Sequence, residues 1–204
     1  MNNVKQIDRY FEEMVRVIQD IDRGEIDRII DLLFDVWREG RAVYIMGNGG
    51  SASTASHFVC DLAKCTIVEG KRRFKVVGLV DNIPLVSAWT NDSGFGSIFE
   101  EQLEPWLEAG DAVIALSVHG GSGAGDAGPW SQNLVRAMKR ARERGAHIIG
   151  FSGFDGGAIR EMADVCLTVP IDTEPLGTPL VETFHAALHH LICTALKARI
   201  EEQG

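Results

Sequence analysis

Side chains that could do acid–base or metal chemistry are concentrated in two distant stretches of the sequence. His57 and Asp61 are four residues apart in a predicted helix, a spacing that puts both on one face. The second stretch is a largely apolar helix with four polar members: Glu182, His185, His189 and His190. Two helices that each offer a carboxylate and a histidine could form an acid–base pair or a divalent-metal site. A polar pair on a helix surface and a polar intersubunit face are the structural alternatives.

Helical geometry is compatible with either His189 or His190 as the active histidine. Glu182 and His189 are seven residues apart and nearly aligned, whereas His190 lies about 80° round from Glu182 at ~3.6 residues per turn. Spacing along one helix therefore does not choose between His189 and His190.

Two glycine-rich segments each follow an apolar run. They are Gly47-Asn48-Gly49-Gly50-Ser51 and Ser117-Val118-His119-Gly120-Gly121-Ser122. Glycines let backbone N–H groups approach an anion, and a following helix start adds the positive end of its dipole. Either segment alone also fits a tight turn with a helix cap. Two such segments in one chain predict a phosphate-binding site. The segments lack a Walker A lysine, and Ala52 stands where a dinucleotide fingerprint would have its third glycine, so neither motif predicts a nucleotide site.

The elements that must position these residues alternate between strand and helix. Strands are predicted at Ala42–Met46, Phe74–Val80, Asp111–Leu116, His147–Phe151 and Val165–Val169, with helices beginning near Ser51, Asn82, Ser97, Pro129 and Gly157. This alternation predicts an α/β fold with a doubly wound, five-stranded parallel sheet. Ligands of such sheets bind beyond the carboxyl ends of the strands, where both glycine-rich segments fall.

Three further helices frame this core. Apolar residues at three- and four-residue spacings predict helices over Val4–Asp20 and Glu25–Arg38, and a long last helix over about Pro179–Ile200. We expect the pair within residues 1–40 to pack on the sheet or on a partner subunit. With neither a linker nor a repeat, residues 1–204 are predicted to form one domain.

The amino-acid composition argues against some classes of binding partner. The formal net charge of −9 argues against non-specific binding of nucleic acid or of an anionic membrane. The first residues lack the apolar core of a signal peptide, and no apolar run reaches the ~18 residues of a membrane span. Four cysteines without a CxxC pair are typical of reduced thiols, so we expect a cytoplasmic protein.

Taken in order, the motifs resemble those of the sugar isomerase (SIS) class, and of phosphoheptose isomerases in particular. Gly47–Ser51, followed by His57-Phe58 and an acid four residues after the histidine, resembles the family's opening motif. Asn91-Asp92, the Ser117–Ser122 loop, the Phe151–Gly157 turn and the Glu182–His190 helix match later landmarks. The similarity spans nearly the whole chain and implies the flavodoxin-like SIS fold.

The resemblance also implies an activity and a site. It implies aldose–ketose isomerisation of a sugar phosphate, sedoheptulose 7-phosphate or a related one, through an enediol. The resemblance assigns catalysis to Asp61 and His190. It assigns the binding of Zn²⁺ to His57, Asp61, Glu182 and His190. The implied substrate-binding residues are Asn48, Gly49, Gly50, Ser51, Asn91, Asp92, Ser117, His119, Gly120 and Ser122. The family precedent is a homotetramer with active sites at subunit borders.

Several positions depart from the family pattern. Asp61 replaces a glutamate, Glu182 a glutamine and Cys65 an arginine, Thr54 stands where an acid is expected, and Gly123–Trp130 resembles an insertion. These differences leave open another sugar phosphate, other phosphosugar chemistry, or a non-catalytic SIS protein that binds a phosphosugar or acts as an adaptor of a replication initiator.

Overall fold

The protein is described here by a computed structural model, which covers residues 3–121, 131–171 and 174–203. Within them the strands are β1 (Ala42–Gly47), β2 (Lys75–Gly78), β3 (Ala112–Leu116), β4 (His147–Gly153) and β5 (Val165–Val169). All pairings are parallel, and the strand order is β2-β1-β3-β4-β5. The predicted doubly wound, five-stranded parallel sheet is confirmed.

Helices cover both faces of the sheet. They are α1 (Asn3–Asp20), α2 (Arg23–Glu39), α3 (Gly50–Lys64), α4 (Ile83–Ser93), α5 (Glu100–Leu103), α6 (Gln132–Glu143), α7 (Gly157–Met162) and α8 (Gly177–Glu202), with a 3-10 turn at Phe95–Ser97. No helix among these residues is long and apolar enough to cross a bilayer.

The hydrophobic core forms two layers because side chains of a strand alternate between the faces of the sheet. One layer packs residues such as Val43 and Ile45 of β1 against α2, α3 and α8. The other packs Tyr44 and Met46 against the short helices after β2 and against α6. The helix α3, which carries His57 and Asp61, therefore shares a layer with α8.

The strand order brings the two glycine-rich loops together. In this order β1 pairs with both β2 and β3, so the chain changes direction across the sheet between β1 and β3. Gly47 and Leu116, the last residues of β1 and β3, lie opposite each other in the register. The loops that follow thus leave the sheet side by side, at the topological switch point where such folds bind ligands.

The two leading helices are buried to different extents. α2 is capped by Asp22 and buries an apolar stripe, including Ile29 and Leu33, in the layer with β5 and α8. α1 buries only Val17, and the adjacent face of the helix exposes an apolar stripe: Val4, Ile7, Phe11, Val15 and Ile18. An exposed apolar stripe of this length is typical of helix faces that pack on a partner.

Boundary predictions were less accurate between β2 and β3. The second strand is shorter than the predicted Phe74–Val80. The helix expected near Ser97 is the short α5, which begins only at Glu100 after the 3-10 turn. Glycines at 94 and 96 interrupt the apolar periodicity there, and Gly94 has φ +83°, which breaks a regular helix. The predicted helix start at Pro129 lies outside the described residues.

Candidate functional site

The helices α3 and α8 pack side by side and run in the same direction. At their start, the Glu182 carboxylate lies so close to Gly50 that a Cβ there would collide with it. Further along both helices, Asp61 contacts His189 and His190. This parallel packing explains how stretches distant in the sequence, such as those with Asp61 and His189, come together.

Asp61 is the centre of a cluster of imidazoles. Its Oδ2 lies 2.6 Å from Nδ1 of His190 and 3.3 Å from Nδ1 of His189. Its Oδ1 lies 3.8 Å from Nε2 of His57. Asp61 is only 6% exposed, and a buried carboxylate is costly unless it has such partners. The convergence expected from the sequence for His57, Asp61 and His190 is therefore present within one chain.

His189 also belongs to this cluster. Its ring is fully buried and stacks on Phe58, with centroids 5.2 Å apart. Neither ring nitrogen has a hydrogen-bond partner among the described residues. Burial, reinforced by the neighbouring His190, lowers the pKa of His189 to about 4, so the ring is neutral at neutral pH. His57 and His190 differ from it, since about half of each side chain faces solvent.

The donor set of this cluster fits a divalent metal. One ligand atom from each of His57, Asp61, His189 and His190 can be chosen so that all four lie within 4.8 Å of one another. Three imidazole nitrogens and one carboxylate oxygen are donors that zinc accepts in a tetrahedral site. The buried, unpartnered nitrogens of His189 are a second indication, because such atoms usually have a partner in a folded protein.

A thiol lies on the other side of the carboxylate. Cys65 Sγ donates to Asp61 Oδ1 over 3.6 Å, one helical turn beyond Asp61. Desolvation and then the negative charge of Asp61 raise the pKa of this thiol. A protonated thiol is a weak donor to the carboxylate and not a competing anion.

The first glycine-rich loop is held by a side-chain pair that sequence reasoning missed. Asn48 and Asn133 exchange two amide hydrogen bonds, of 3.0 and 2.8 Å. Asn133 is fully buried near the start of α6, and no motif in the sequence marks it as a partner of the first loop. Gly49 has φ +57°, and Ser51 is buried in the first turn of α3. A cavity of 170 Å³ opens beside Asn48 and Gly49.

The second loop is fixed by close backbone packing. Gly120 has φ +61°, and a Cβ there would collide with the carbonyl of Gly156 in the turn after β4. The amide of Ile159 donates to the Gly120 carbonyl at 2.8 Å, which joins this loop to α7. Ser117 follows β3 directly, and the His119 ring packs on Phe154 with centroids 4.3 Å apart. Ser122 lies outside the described residues.

The remaining predicted residues lie apart from the cluster. Asn91 and Asp92 are exposed near the end of α4, where Asn91 Nδ2 donates to Asp92 Oδ1 at 2.7 Å. Glu182 lies at the opposite end of α3 from Asp61, because Gly50 and Asp61 are about 16 Å apart along the axis at ~1.5 Å per residue. The structure thus brings together three of the four implied metal ligands and leaves Glu182 with the first loop.

His185 lies in the interior of the protein and connects α8 to the sheet. It is fully buried one turn before His189, and its Nε2–H donates to the Ser152 carbonyl over 3.1 Å. Burial lowers its pKa to about 4, and the hydrogen bond to Ser152 offsets only part of this effect. His185 is therefore neutral and ties α8 to the end of β4.

Comparison with known proteins gives consistent matches. Residues 9–153 match the SIS domain family. The chain is 35% identical over 177 residues to the phosphoheptose isomerase of Geobacter sulfurreducens, covering 87% of this chain and 86% of that one. It is similar in structure to phosphoheptose isomerase GmhA from Neisseria gonorrhoeae, with a TM-score of 0.82, 27% identity, and coverage of 97% of this chain and all of the other.

A further relative is longer. The lincomycin biosynthesis protein LmbN of Streptomyces lincolnensis is 51% identical over 164 residues, which cover 80% of this chain. The chain spans only 58% of LmbN.

The buried His185 predicts a pH dependence of stability. Its pKa of about 4 lies below the ordinary 6.5, so between these values the unfolded chain binds more protons than the folded one. Its contribution to the free energy of unfolding is complete above pH 6.5 and falls as the pH drops towards 4. We expect His185→Gln to lose less stability than the parent between pH 7 and 4.5, by about 2 kcal/mol.

Urea unfolding at both pH values, with a chelator throughout to exclude metal binding, measures this difference. Equal losses in the parent and the variant would contradict the assignment.

Proposed function

Because the chain belongs to the SIS-domain family and, within it, to the phosphoheptose isomerases, we propose that it interconverts the aldose and ketose forms of sedoheptulose 7-phosphate or a related sugar phosphate. The observation that carries this proposal is the contact between Asp61 and His190, a carboxylate and an imidazole 2.6 Å apart beside a half-exposed His57. An isomerase needs such a pair, since a proton must leave one carbon and return to its neighbour.

In the proposed reaction Asp61 is the base. It removes the proton from the carbon beside the carbonyl, an enediol forms, and the proton returns to the adjacent carbon. His190, with its ring half in solvent, exchanges protons with the sugar oxygens. The close contact between the two groups keeps the carboxylate oriented, which is part of the catalytic advantage of a fixed site.

We place the phosphate at the switch point, between Ser51 and the Ser117–Ser122 loop. Backbone amides of the glycine-rich loops and the start of α3 are suited to an anion. The amide pair of Asn48 with Asn133 fixes the first loop before the ligand arrives. Gly49, Gly50, His119 and Gly120 would bring the backbone close to the ligand, and Asn91 and Asp92 are proposed to hold sugar hydroxyls. Binding of the remote phosphate then orients the reacting carbons.

Zn²⁺ is proposed as the metal, and the resemblance assigns it to His57, Asp61, Glu182 and His190. Bound zinc would polarise the sugar carbonyl and stabilise negative charge on the enediolate. The described cluster supports three of these ligands within one chain. Reduced exposed and buried cysteines are consistent with the proposed cytoplasmic location.

A homotetramer with sites shared between subunits is also proposed. About 16 Å separate the start of α3, at the phosphate loop, from Asp61 along the same helix. A sugar phosphate held by the loops of one protomer would therefore meet the cluster of another. The exposed faces of His57 and His190, the exposed helix α4 and the apolar stripe of α1 support this arrangement.

A panel of phosphorylated sugars with five to seven carbons tests the proposed function. We expect interconversion of aldose and ketose, followed by NMR, with solvent deuterium entering at the carbon beside the carbonyl. Binding without conversion of any member would instead favour a phosphosugar sensor or adaptor. Conversion to an epimer or cleavage of the sugar would contradict isomerisation.

Replacing the proposed base should separate chemistry from binding. We expect Asp61→Asn to lower kcat by about 1000-fold or more, because an amide cannot accept the carbon-bound proton, while phosphosugar affinity stays within about tenfold. Asp35→Asn, an exposed position on α2, is the matched control. Turnover by Asp61→Asn near the control value would exclude Asp61 as the base.

The apolar stripe of α1 predicts the effect of a charge on assembly. Phe11 is 60% exposed at the middle of this stripe. We expect Phe11→Glu to shift the protein from tetramer to smaller species in light scattering after size exclusion, because the charge would have to be buried at an interface. Glu12→Gln, a polar change on the same helix, should leave the mass unchanged. A monomeric parent protein would contradict the proposed assembly.

A further inference from the structure

We propose that Phe154 is a positioning residue that holds the second glycine-rich loop in its phosphate-binding shape. The inference rests on the phosphate site proposed above and names a residue outside that site on which its affinity depends. Phe154 lies in the turn after β4, and its ring contacts both His119 of the loop and Gly177, the first residue of α8.

The first support is the backbone of Phe154. Its φ of +53° lies in the left-handed region, and within residues 3–121, 131–171 and 174–203 no other residue except glycine has such a φ. The same turn uses glycine for this purpose at Gly156 and Gly157, where φ is +88° and +50°. A bulky residue kept in this costly conformation has to be held by its surroundings, and such residues cluster at ligand clamps. The strain therefore indicates that the ring itself is needed at this position.

The second support is the set of contacts that the ring makes. Its centroid lies 4.3 Å from that of the His119 ring, and the two planes are tilted by 36°. On α8, a Cβ added to Gly177 would lie 2.6 Å from Cζ of Phe154, so the ring fills the space that a larger residue at 177 would need. The ring is thus fixed against the start of α8 while it supports the side chain of the loop.

The backbone of the turn is joined to the same loop. Two hydrogen bonds flank His119, one from the Gly153 amide to the Val118 carbonyl at 2.9 Å and one from the Ile159 amide to the Gly120 carbonyl at 2.8 Å. The residue between these two anchors is the one that rests on the aromatic ring of the turn. Movement of that ring is therefore passed on to the loop.

The composition of the loop makes its shape important for an anion. The segment from Ser117 to Ser122 contains neither lysine nor arginine, so its attraction for phosphate comes largely from directed N–H and O–H donors. Hydrogen bonds of this kind weaken steeply when the donor is misaligned. The two glycines of the segment leave its backbone with many accessible conformations, so supports from outside decide its shape. Phe154 is such a support.

Binding of inorganic phosphate to the full-length protein, measured by calorimetry at fixed pH and ionic strength, tests the proposal. Phe154→Asn removes the ring, and asparagine tolerates the left-handed φ. We expect this variant to raise Kd by about tenfold, within the range of coupling between residues in contact. The matched control is Trp106→Asn, which removes an exposed ring near the amino ends of the strands and should leave Kd unchanged.

Gly177→Ala tests the same ring from the side of α8. Its new methyl group would collide with the ring of Phe154, so Kd should rise although alanine is the better helix former. In the Phe154→Asn background the same change should not alter Kd, because the ring that it displaces is absent. This failure of additivity is specific to a ring that positions the loop, and a general loss of stability would not produce it.

Two further readouts separate positioning from a purely structural role. The NMR signals of the His119 ring, assigned with His119→Gln, should move in Phe154→Asn and in Gly177→Ala as the aromatic neighbour is lost or displaced. For a sugar phosphate that is converted, KM should rise in both variants while kcat stays within about threefold, because Asp61 and His190 are not touched. Thermal melts show whether each variant is folded, and Phe154→Gly replaces Phe154→Asn if the latter is not.

The outcomes distinguish this inference from the proposed function. An unchanged Kd in folded Phe154→Asn, a lowered Tm alone, or no binding of phosphate by the parent would overturn it. Equal effects of Gly177→Ala with and without the ring would also overturn it. Phosphate binding that depends on Phe154 in a protein that converts no sugar phosphate would uphold the inference while contradicting the isomerase. Conversion with normal KM in the variants would do the reverse.

Discussion

The parallel packing of α3 on α8 is the interaction on which the candidate site depends. Phe58 and Leu62 of α3 are fully buried with Ile192 and Leu196 of α8, so the seam between the helices is apolar. Asp61 lies in this seam with little exposure, and its contact of 2.6 Å with Nδ1 of His190 offsets part of the cost of burying the carboxylate. Packing and chemistry are therefore coupled, since a shift of one helix along the other would separate Asp61 from its partners.

The same packing places the proposed phosphate-binding and acid–base residues towards opposite ends of α3. Its first turn, with Gly50 and Ser51, belongs to the loops at the switch point of the sheet, and its last turns carry His57 and Asp61. A helix is too rigid to bring its two ends together, so a ligand that uses both functions has to use two copies of the helix. Assembly is then a requirement of the proposed catalysis and not only a source of stability.

Much of this arrangement could be predicted from the sequence. Short apolar runs alternating with amphipathic helices were sufficient for the sheet and for placing both glycine-rich loops at its carboxyl edge. The i, i+4 spacing was sufficient to put His57 and Asp61 on one face. Helical spacing alone could not choose between His189 and His190, and the family resemblance favoured His190, because the choice depends on how α8 is rotated against α3, a tertiary property. Both histidines contact Asp61, one from the buried side of the seam and one from the solvent side. Asn133 was missed for the same reason, since its partner Asn48 is 85 residues away.

Two of the departures from the family pattern, Asp61 and Cys65, lie together at this seam. Asp61 stands where the resemblance expects the longer glutamate, and its carboxylate lies 3.3 Å from Nδ1 of the buried His189. Cys65, in place of an arginine, puts a small neutral donor next to that carboxylate, where a guanidinium would have supplied a compensating positive charge. The carboxylate of Glu182 lies apart from this seam, beside Gly50 at the start of α3, where the helix dipole favours a negative charge.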